Sequence, residues 1–150
     1  AAIVSVEGPR GDFVLHENSP RSLLFIAYGS GFAPVKSLIE HAMALDTAET
    51  IHLCWVAPEN EHYQHNLCRS WSDALDNFHF TPLTATLGDL TPSLLPFVGN
   101  IPELKEYDVY VAGPEAFVAT ATSLLLNQGL PEDQLAAGYV NMDGQSRAAN

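Results

Sequence analysis

The chain has 150 residues, about one domain by length, and 47% of them are hydrophobic, enough to build a real core. Its 18 Asp and Glu outnumber 6 Lys and Arg, giving a formal net charge of −12, a surface that repels nucleic-acid phosphates and anionic membranes. No apolar run approaches the ~20 residues of a membrane helix. Ala1 to Glu7 lack a basic segment followed by an apolar one, and Cys54 and Cys68 make no disulfide framework. A cytoplasmic protein with two free thiols is therefore expected.

Residues 1–17 differ in pattern from the rest of the chain. Gly8-Pro9-Arg10-Gly11 is turn chemistry and Phe13-Val14-Leu15 a short strand-like piece, with a boundary expected near Asn18-Ser19-Pro20. The run Leu23 to Tyr28 is continuously apolar, as in a strand buried on both faces, and ends at Gly29. Pro34 stands where a helix would open, and Val35, Leu38, Ile39 and Ala42 come after it with helical spacing. Ile51 to Val56 reads as a second buried strand. Asn60 is a candidate cap for a helix carrying Leu67, Trp71, Ala74 and Leu75, and Phe78 to Leu83 reads as a third strand. Thr91-Pro92 has the form of a cap followed by a first-turn proline. Asp108 to Ala112 reads as a fourth strand, ending at Gly113-Pro114. Phe117, Ala121, Leu124 and Leu125 line the next helix, with Gly129 as its C-terminal cap. Ala137 to Asn141 reads as a last short strand, and the patternless residues 144–150 as a frayed tail. Strands alternating with helices predict a three-layer α/β domain over residues 18–150 with a mostly parallel sheet.

In such a sheet, ligands bind beyond the carboxyl ends of the strands, where strand order reverses. Two glycine turns stand at strand ends here: Tyr28-Gly29-Ser30-Gly31-Phe32-Ala33-Pro34 and Ala112-Gly113-Pro114-Glu115. Glycine lets the backbone approach a phosphate, and the N-terminus of the next helix presents amide donors to it. On pattern alone the first turn is a weak signal. Pro34 replaces the third glycine of the dinucleotide fingerprint, and a tight turn that merely closes a strand–helix unit reads the same way.

The string Leu24-Phe25-Ile26-Ala27-Tyr28-Gly29-Ser30-Gly31-Phe32-Ala33-Pro34, running on to His41, resembles the nucleotide-binding turn of the ferredoxin–NAD(P) reductase superfamily. It is nearest to the bacterial branch of oxygenase-coupled, deoxysugar-pathway and flavin reductases, which have Gly-Thr-Gly-hydrophobic-Ala-Pro there. Val109 to Glu115 resembles the second, nicotinamide-side turn of that superfamily. Gly8 to Leu15 resembles the Gly-Pro-x-Gly-x-Phe-x-Leu segment that closes its flavin domain. The resemblance spans about residues 8 to 141 and implies five strands in the Rossmann-like order 3-2-1-4-5. It implies residues 1–17 as the end of a flavin-binding domain. It also implies hydride transfer from NAD(P)H to FAD and on to an iron–sulfur or other acceptor, with a 2Fe–2S domain or an oxygenase component as partner. Gly29, Ser30, Gly31 and Pro34 would lie by the pyrophosphate and ribose, and Gly113, Pro114, Glu115 and Phe117 at the nicotinamide end.

Two departures qualify this. Many relatives have a cysteine where this chain has Ala112, so no catalytic side chain is assigned. The flavin-binding Arg-x-Tyr-Ser/Thr motif is absent, so FAD is expected only in a full-length protein and this chain is expected to be inactive by itself. A non-catalytic nucleotide-sensing module is the alternative reading. After the second strand, Trp55-Val56-Ala57-Pro58-Glu59-Asn60-Glu61 has no cation where relatives often carry Arg. A 2′-phosphate needs cations, whereas Glu59 can accept a bond from a free ribose hydroxyl, so NADH is expected over NADPH. The competing reading is a Glu59 that faces solvent at a helix start. Trp55 ends a strand at the binding edge; adenine contact is open to it, with burial the plainer role. His62-x-x-His65-x-x-Cys68 has ligand-like spacing but no second ligand pair, so no metal site is expected, while His62 and Tyr63 are candidate nucleotide contacts. Ser70 and Ser123 lack a nucleophile-elbow context.

Overall fold

The computed structural model describes residues 13–140. Five strands form one sheet: β1 (Ser22–Tyr28), β2 (Ile51–Ala57), β3 (Phe78–Thr84), β4 (Tyr107–Gly113) and β5 (Leu135–Tyr139). All four strand pairings are parallel and the order is β3-β2-β1-β4-β5, so the direction of winding reverses between β1 and β4. The connecting helices are α1 (Phe32–Leu45), α2 (His65–Ala74), α3 (Thr91–Gly99) and α4 (Glu115–Asn127).

Alternation along the strands divides the core in two. Phe25, Ala27, Leu53, Trp55, Tyr110 and Ala112 face α1 and α2, where Phe32, Val35, Ile39 and Cys68 meet them. Leu24, Ile26, Tyr28, Cys54, Val56, Val109 and Val111 face α3 and α4, against Leu94, Val98, Phe117, Ala121 and Leu125. The three central strands are therefore apolar on both faces, which is why they read as unbroken hydrophobic runs. Edge strand β3 is less buried and tolerates Pro82. Helix α4 closes with amide bonds from Gly129 to Leu126 and from Leu130 to Leu125, the two bonds of a Schellman cap, with Gly129 at φ 97° as expected for that position.

Several boundaries differ from the sequence expectations. The chain passes from β1 through a 3-10 turn, Gly29–Gly31, directly into α1, so Pro34 is the third helical residue rather than the first. It is still within the first turn, where no backbone amide is needed. Asn60 is not a helix cap: at φ 66° it sits in a left-handed turn, and α2 opens later at His65 behind Gln64. Thr91 is the first residue of α3 and Leu90 precedes it as the N-cap, so Thr91 does not cap. Strand β5 begins at Leu135, because β4 pairs with it from Val109 onward. Phe13 to Leu15 form no strand: no described strand lies beside them to pair with. They lie across the α1-side core instead, where the Phe13 ring meets the edge of Tyr110 at 6.0 Å and Leu15 is buried. The His16 amide donates to the Tyr110 hydroxyl at 2.9 Å. Residues 8–12, Asn141 and the tail from 144 lie outside the described residues.

Candidate functional site

The carboxyl ends of β1 and β4 are neighbours, so the two glycine turns meet where the strand order reverses. Their contact is close. A Cβ on Gly31 would stand 2.4 Å from the Ala112 carbonyl oxygen, and one on Gly113 would stand 2.7 Å from the Phe117 ring. No other residue fits Gly31 without pushing the turns apart. Gly29 has a second requirement, a φ of 57°, which a side chain disfavours.

Helix α1 begins at the base of the first turn with no side-chain cap at Gly31 and no carboxylate in its first turn. The Phe32 amide bonds the Gly29 carbonyl, so what α1 adds at this turn is the positive end of its dipole, which no acid in its own first turn opposes. Helix α4 begins beyond the second turn with Pro114 as its extended N-cap and Glu115, exposed, as its first residue.

Trp55 is fully buried and does not reach the edge as a ligand surface; burial takes the place of adenine contact. Its indole N–H donates to the Gly29 carbonyl at 3.1 Å, and its ring stacks on Phe32 at 4.1 Å and 10°. Phe117 is likewise fully buried, beneath Gly113 and against Tyr28 at 5.3 Å, so it supports the second turn from below. Neither role was legible from the sequence, since both depend on contacts between strands or across a strand–helix unit. Ser30 and Pro34 are partly exposed at the first turn. Glu59 is exposed in the Pro58–Asn60 turn after β2, six residues before α2 opens, so the helix-start explanation for an acid there does not apply.

Tyr28 is buried and donates its hydroxyl to the Ala85 carbonyl at 3.1 Å, tying the end of β1 to the loop after β3. Burial, with the Glu61 carboxylate adding to it, raises the pKa of this phenol, which stays neutral as a donor must. His62 donates from Nε2 to the Trp55 carbonyl at 2.8 Å and its ring lies edge-on to the indole at 5.2 Å. Tyr63 is exposed and also meets Trp55 edge-on, at 5.1 Å. His65 opens α2 with its ring against Phe80, away from His62, and Cys68 is buried. Among the described residues no three His, Cys, Asp or Glu are grouped as a metal site would require. Burial pushes the Cys68 thiol up to about 12 and the fully buried Cys54 thiol higher still, so neither is a thiolate near neutral pH. No helix among the described residues is long and apolar enough to cross a membrane.

The parallel sheet with order β3-β2-β1-β4-β5 and helices on both faces is the fold of the NAD-binding domains of ferredoxin reductases. Solved structures agree with that fold: a cytochrome P450 reductase from Amycolatopsis superposes with a TM-score of 0.71 at 18% identity, over 86% of this chain and 41% of that one. No family model matches the chain. Among curated proteins, it is 28% identical over 137 residues to the CDP-6-deoxy-L-threo-D-glycero-4-hexulose-3-dehydrase reductase of Yersinia pestis, covering 88% of this chain and 41% of that protein. It is 31% identical over 116 residues to an NAD(P)H-flavin reductase of Vibrio harveyi, covering 73% of this chain and 49% of that protein. The chain thus spans less than half the length of these curated relatives. Relatives and structural neighbours alike are ferredoxin-reductase and flavin-reductase family proteins, which matches the superfamily that the three motifs resemble.

Proposed function

We propose that this chain is the pyridine-nucleotide-binding part of a flavin-dependent reductase, holding NADH across the β1–β4 junction. The observation that carries the reading is the fit of Gly31 against the Ala112 carbonyl, which brings two helix-opening turns into one crevice. An extended dinucleotide needs two such supports, one for its pyrophosphate and one for its nicotinamide end.

The residues divide the work by charge. Gly29, Ser30 and Gly31, with Pro34 behind them in the first turn of α1, offer backbone and dipole to the pyrophosphate. Gly113, Pro114 and Glu115 flank the nicotinamide, and Gly113 brings the backbone close to it. Trp55 and Phe117 act from below, one under each turn. When bound, the coenzyme supplies a hydride and FAD accepts it. This chain's part is to hold the donor in place and orient it. Ala112 leaves no side chain at that point to exchange a proton.

Glu59 favours NADH over NADPH, because a 2′-phosphate beside this exposed carboxylate would be repelled and no Lys or Arg lies within the 57–61 loop to offset it. Residues 1–17 are proposed as the end of a flavin-binding domain, whose remainder would carry FAD. A 2Fe–2S domain or an oxygenase component is proposed as the next electron acceptor, in a cytoplasmic enzyme. The two curated relatives are reductases, which disfavours a non-catalytic sensing module. Parallel calorimetric titration of the chain with NADH and NADPH tests the reading. Binding of NADH with NADPH at least about tenfold weaker supports it. Equal binding removes the role of Glu59 but keeps the site, and saturating NADH with no heat and no spectral change removes the site.

A further inference from the structure

We propose that Trp55 is a positioning residue for the coenzyme turn, acting through its ring N–H rather than its bulk. The inference rests on the coenzyme reading proposed for this site. Trp55 is fully buried, so it cannot touch a ligand itself. Three rings pack on its indole: Phe32 stacks on its face at 4.1 Å, Tyr63 meets it edge-on at 5.1 Å, and His62 meets it edge-on at 5.2 Å while bonding the Trp55 carbonyl at 2.8 Å. A ring so constrained fixes the direction of its Nε1–H, which donates to the Gly29 carbonyl at 3.1 Å.

That carbonyl controls the turn. It also accepts the Phe32 amide, the bond that starts α1, so it is doubly held. In a trans peptide the C=O and the next N–H point in opposite directions, and the described chain has no cis bond. Pulling the Gly29 oxygen inward toward Trp55 therefore fixes the plane of the whole Gly29–Ser30 peptide. Gly29 at φ 57° is the residue that pivots this peptide plane, and its freedom is why an external hold is needed. One buried donor thus sets both the plane of the Gly29–Ser30 peptide and the carbonyl at which α1 starts.

The test separates the N–H from the ring. Site-specific incorporation of 3-benzothienylalanine at position 55 keeps the bicyclic shape and replaces the N–H by sulfur; 5-fluorotryptophan restores the N–H; Trp55→Phe is the natural-residue comparison. The full 150-residue chain is measured for melting temperature, for amide exchange of Phe32, and for NADH affinity. The expected result is a melting temperature kept within ~2 °C in the sulfur isostere, Phe32 exchange faster by about tenfold and NADH binding weaker by about fivefold, all restored by 5-fluorotryptophan. Unchanged exchange and unchanged affinity in the isostere overturn the proposal. So does a loss of melting temperature with faster exchange throughout the sheet, which is the signature of a packing role alone. If the unmodified chain binds no NADH, the coenzyme reading fails, and Phe32 exchange still decides whether the indole N–H holds the turn.

Discussion

The two glycine turns close neighbouring strands of one sheet, yet they end differently. At the first, the chain bends through a left-handed Gly29, is held by an indole N–H from below, and enters α1 with no acid in the opening turn. At the second, the backbone runs extended through Pro114, the Gly113 carbonyl accepts the Val140 amide at 2.9 Å, and α4 opens with Glu115. The first helix has no acid in its own opening turn, and the second carries a carboxylate in its own. The difference teaches that a shared Gly-turn-helix plan need not mean a shared ligand. On the coenzyme reading proposed above, the first turn would take a phosphate group and the second a group that is neutral or positive, as a nicotinamide is in its reduced and oxidised forms.

The largest effect should come from breaking the contact that joins the turns. In Gly31→Ala the new Cβ meets backbone, not a flexible side chain, at 2.4 Å from the Ala112 oxygen. A cost of ~3 kcal/mol is expected, at the upper end for overpacking. Thermal unfolding should show it as a drop of roughly 6–12 °C, and calorimetry as an NADH affinity lower by about 100-fold. Gly88→Ala is the control, since a Cβ there meets nothing within 4 Å and should change neither quantity.

A second prediction concerns the scaffold away from both turns. His52 on β2 bonds Thr81 on β3 at 2.9 Å, and burial, with His79 opposite adding to it, lowers its pKa from 6.5 to about 4. The unfolded chain binds this proton first, so the stability that neutral His52 protects is fully present above pH ~6.5 and is lost as pH falls toward 4, about 3 kcal/mol in all. Denaturant unfolding across that range should show the slope, and His52→Gln should flatten it. NADH affinity measured at pH 6.5 in His52→Gln should match the parent chain, because neither turn is touched.

A third prediction returns to the edge, at the adenosine side of the first turn. Glu59→Arg should raise NADPH affinity relative to NADH by about tenfold, because a bidentate cation replaces a repelling carboxylate. Competitive titration at a fixed salt concentration reads it, and an unchanged ratio would take Glu59 out of coenzyme selection.

Much of the sheet was legible from the sequence because burial on both faces leaves unbroken apolar runs, and strands β1, β2 and β4 lie within one residue of those runs. Helix starts were harder. Asn60 is a good cap by type, but Asn also tolerates a left-handed turn, and the turn prevailed. Phe13 to Leu15 have strand-like composition, but a strand needs a neighbour to pair with, which local sequence cannot supply. At the site, the glycines announced themselves as turns. What the sequence did not reveal is that Gly31 needs to be glycine because of Ala112, 81 positions away in the chain, or that Trp55 works through an N–H to Gly29. Both depend on strand adjacency, which the resemblance implied and periodicity did not.

The smallest predicted effect bears most directly on the contrast between the turns. Glu115 stands at the start of α4, where a carboxylate is worth about 0.3–1 kcal/mol to the helix. If it also faces the nicotinamide, its charge should favour the oxidised, cationic ring over the reduced, neutral one. Glu115→Gln should then lower the affinity for NAD⁺ by about twofold to threefold while leaving NADH nearly unchanged, a difference of roughly 0.5 kcal/mol. Raising ionic strength should shrink the difference in the parent chain, because Glu115 is exposed and screened. Equal losses for both forms would mean that Glu115 serves only the helix, and the second turn would then be a structural partner of the first rather than a selective one. A change confined to NAD⁺ would make the pair of turns a charge-sorted cradle, with the anion at the bare helix and the cation at the acidic one.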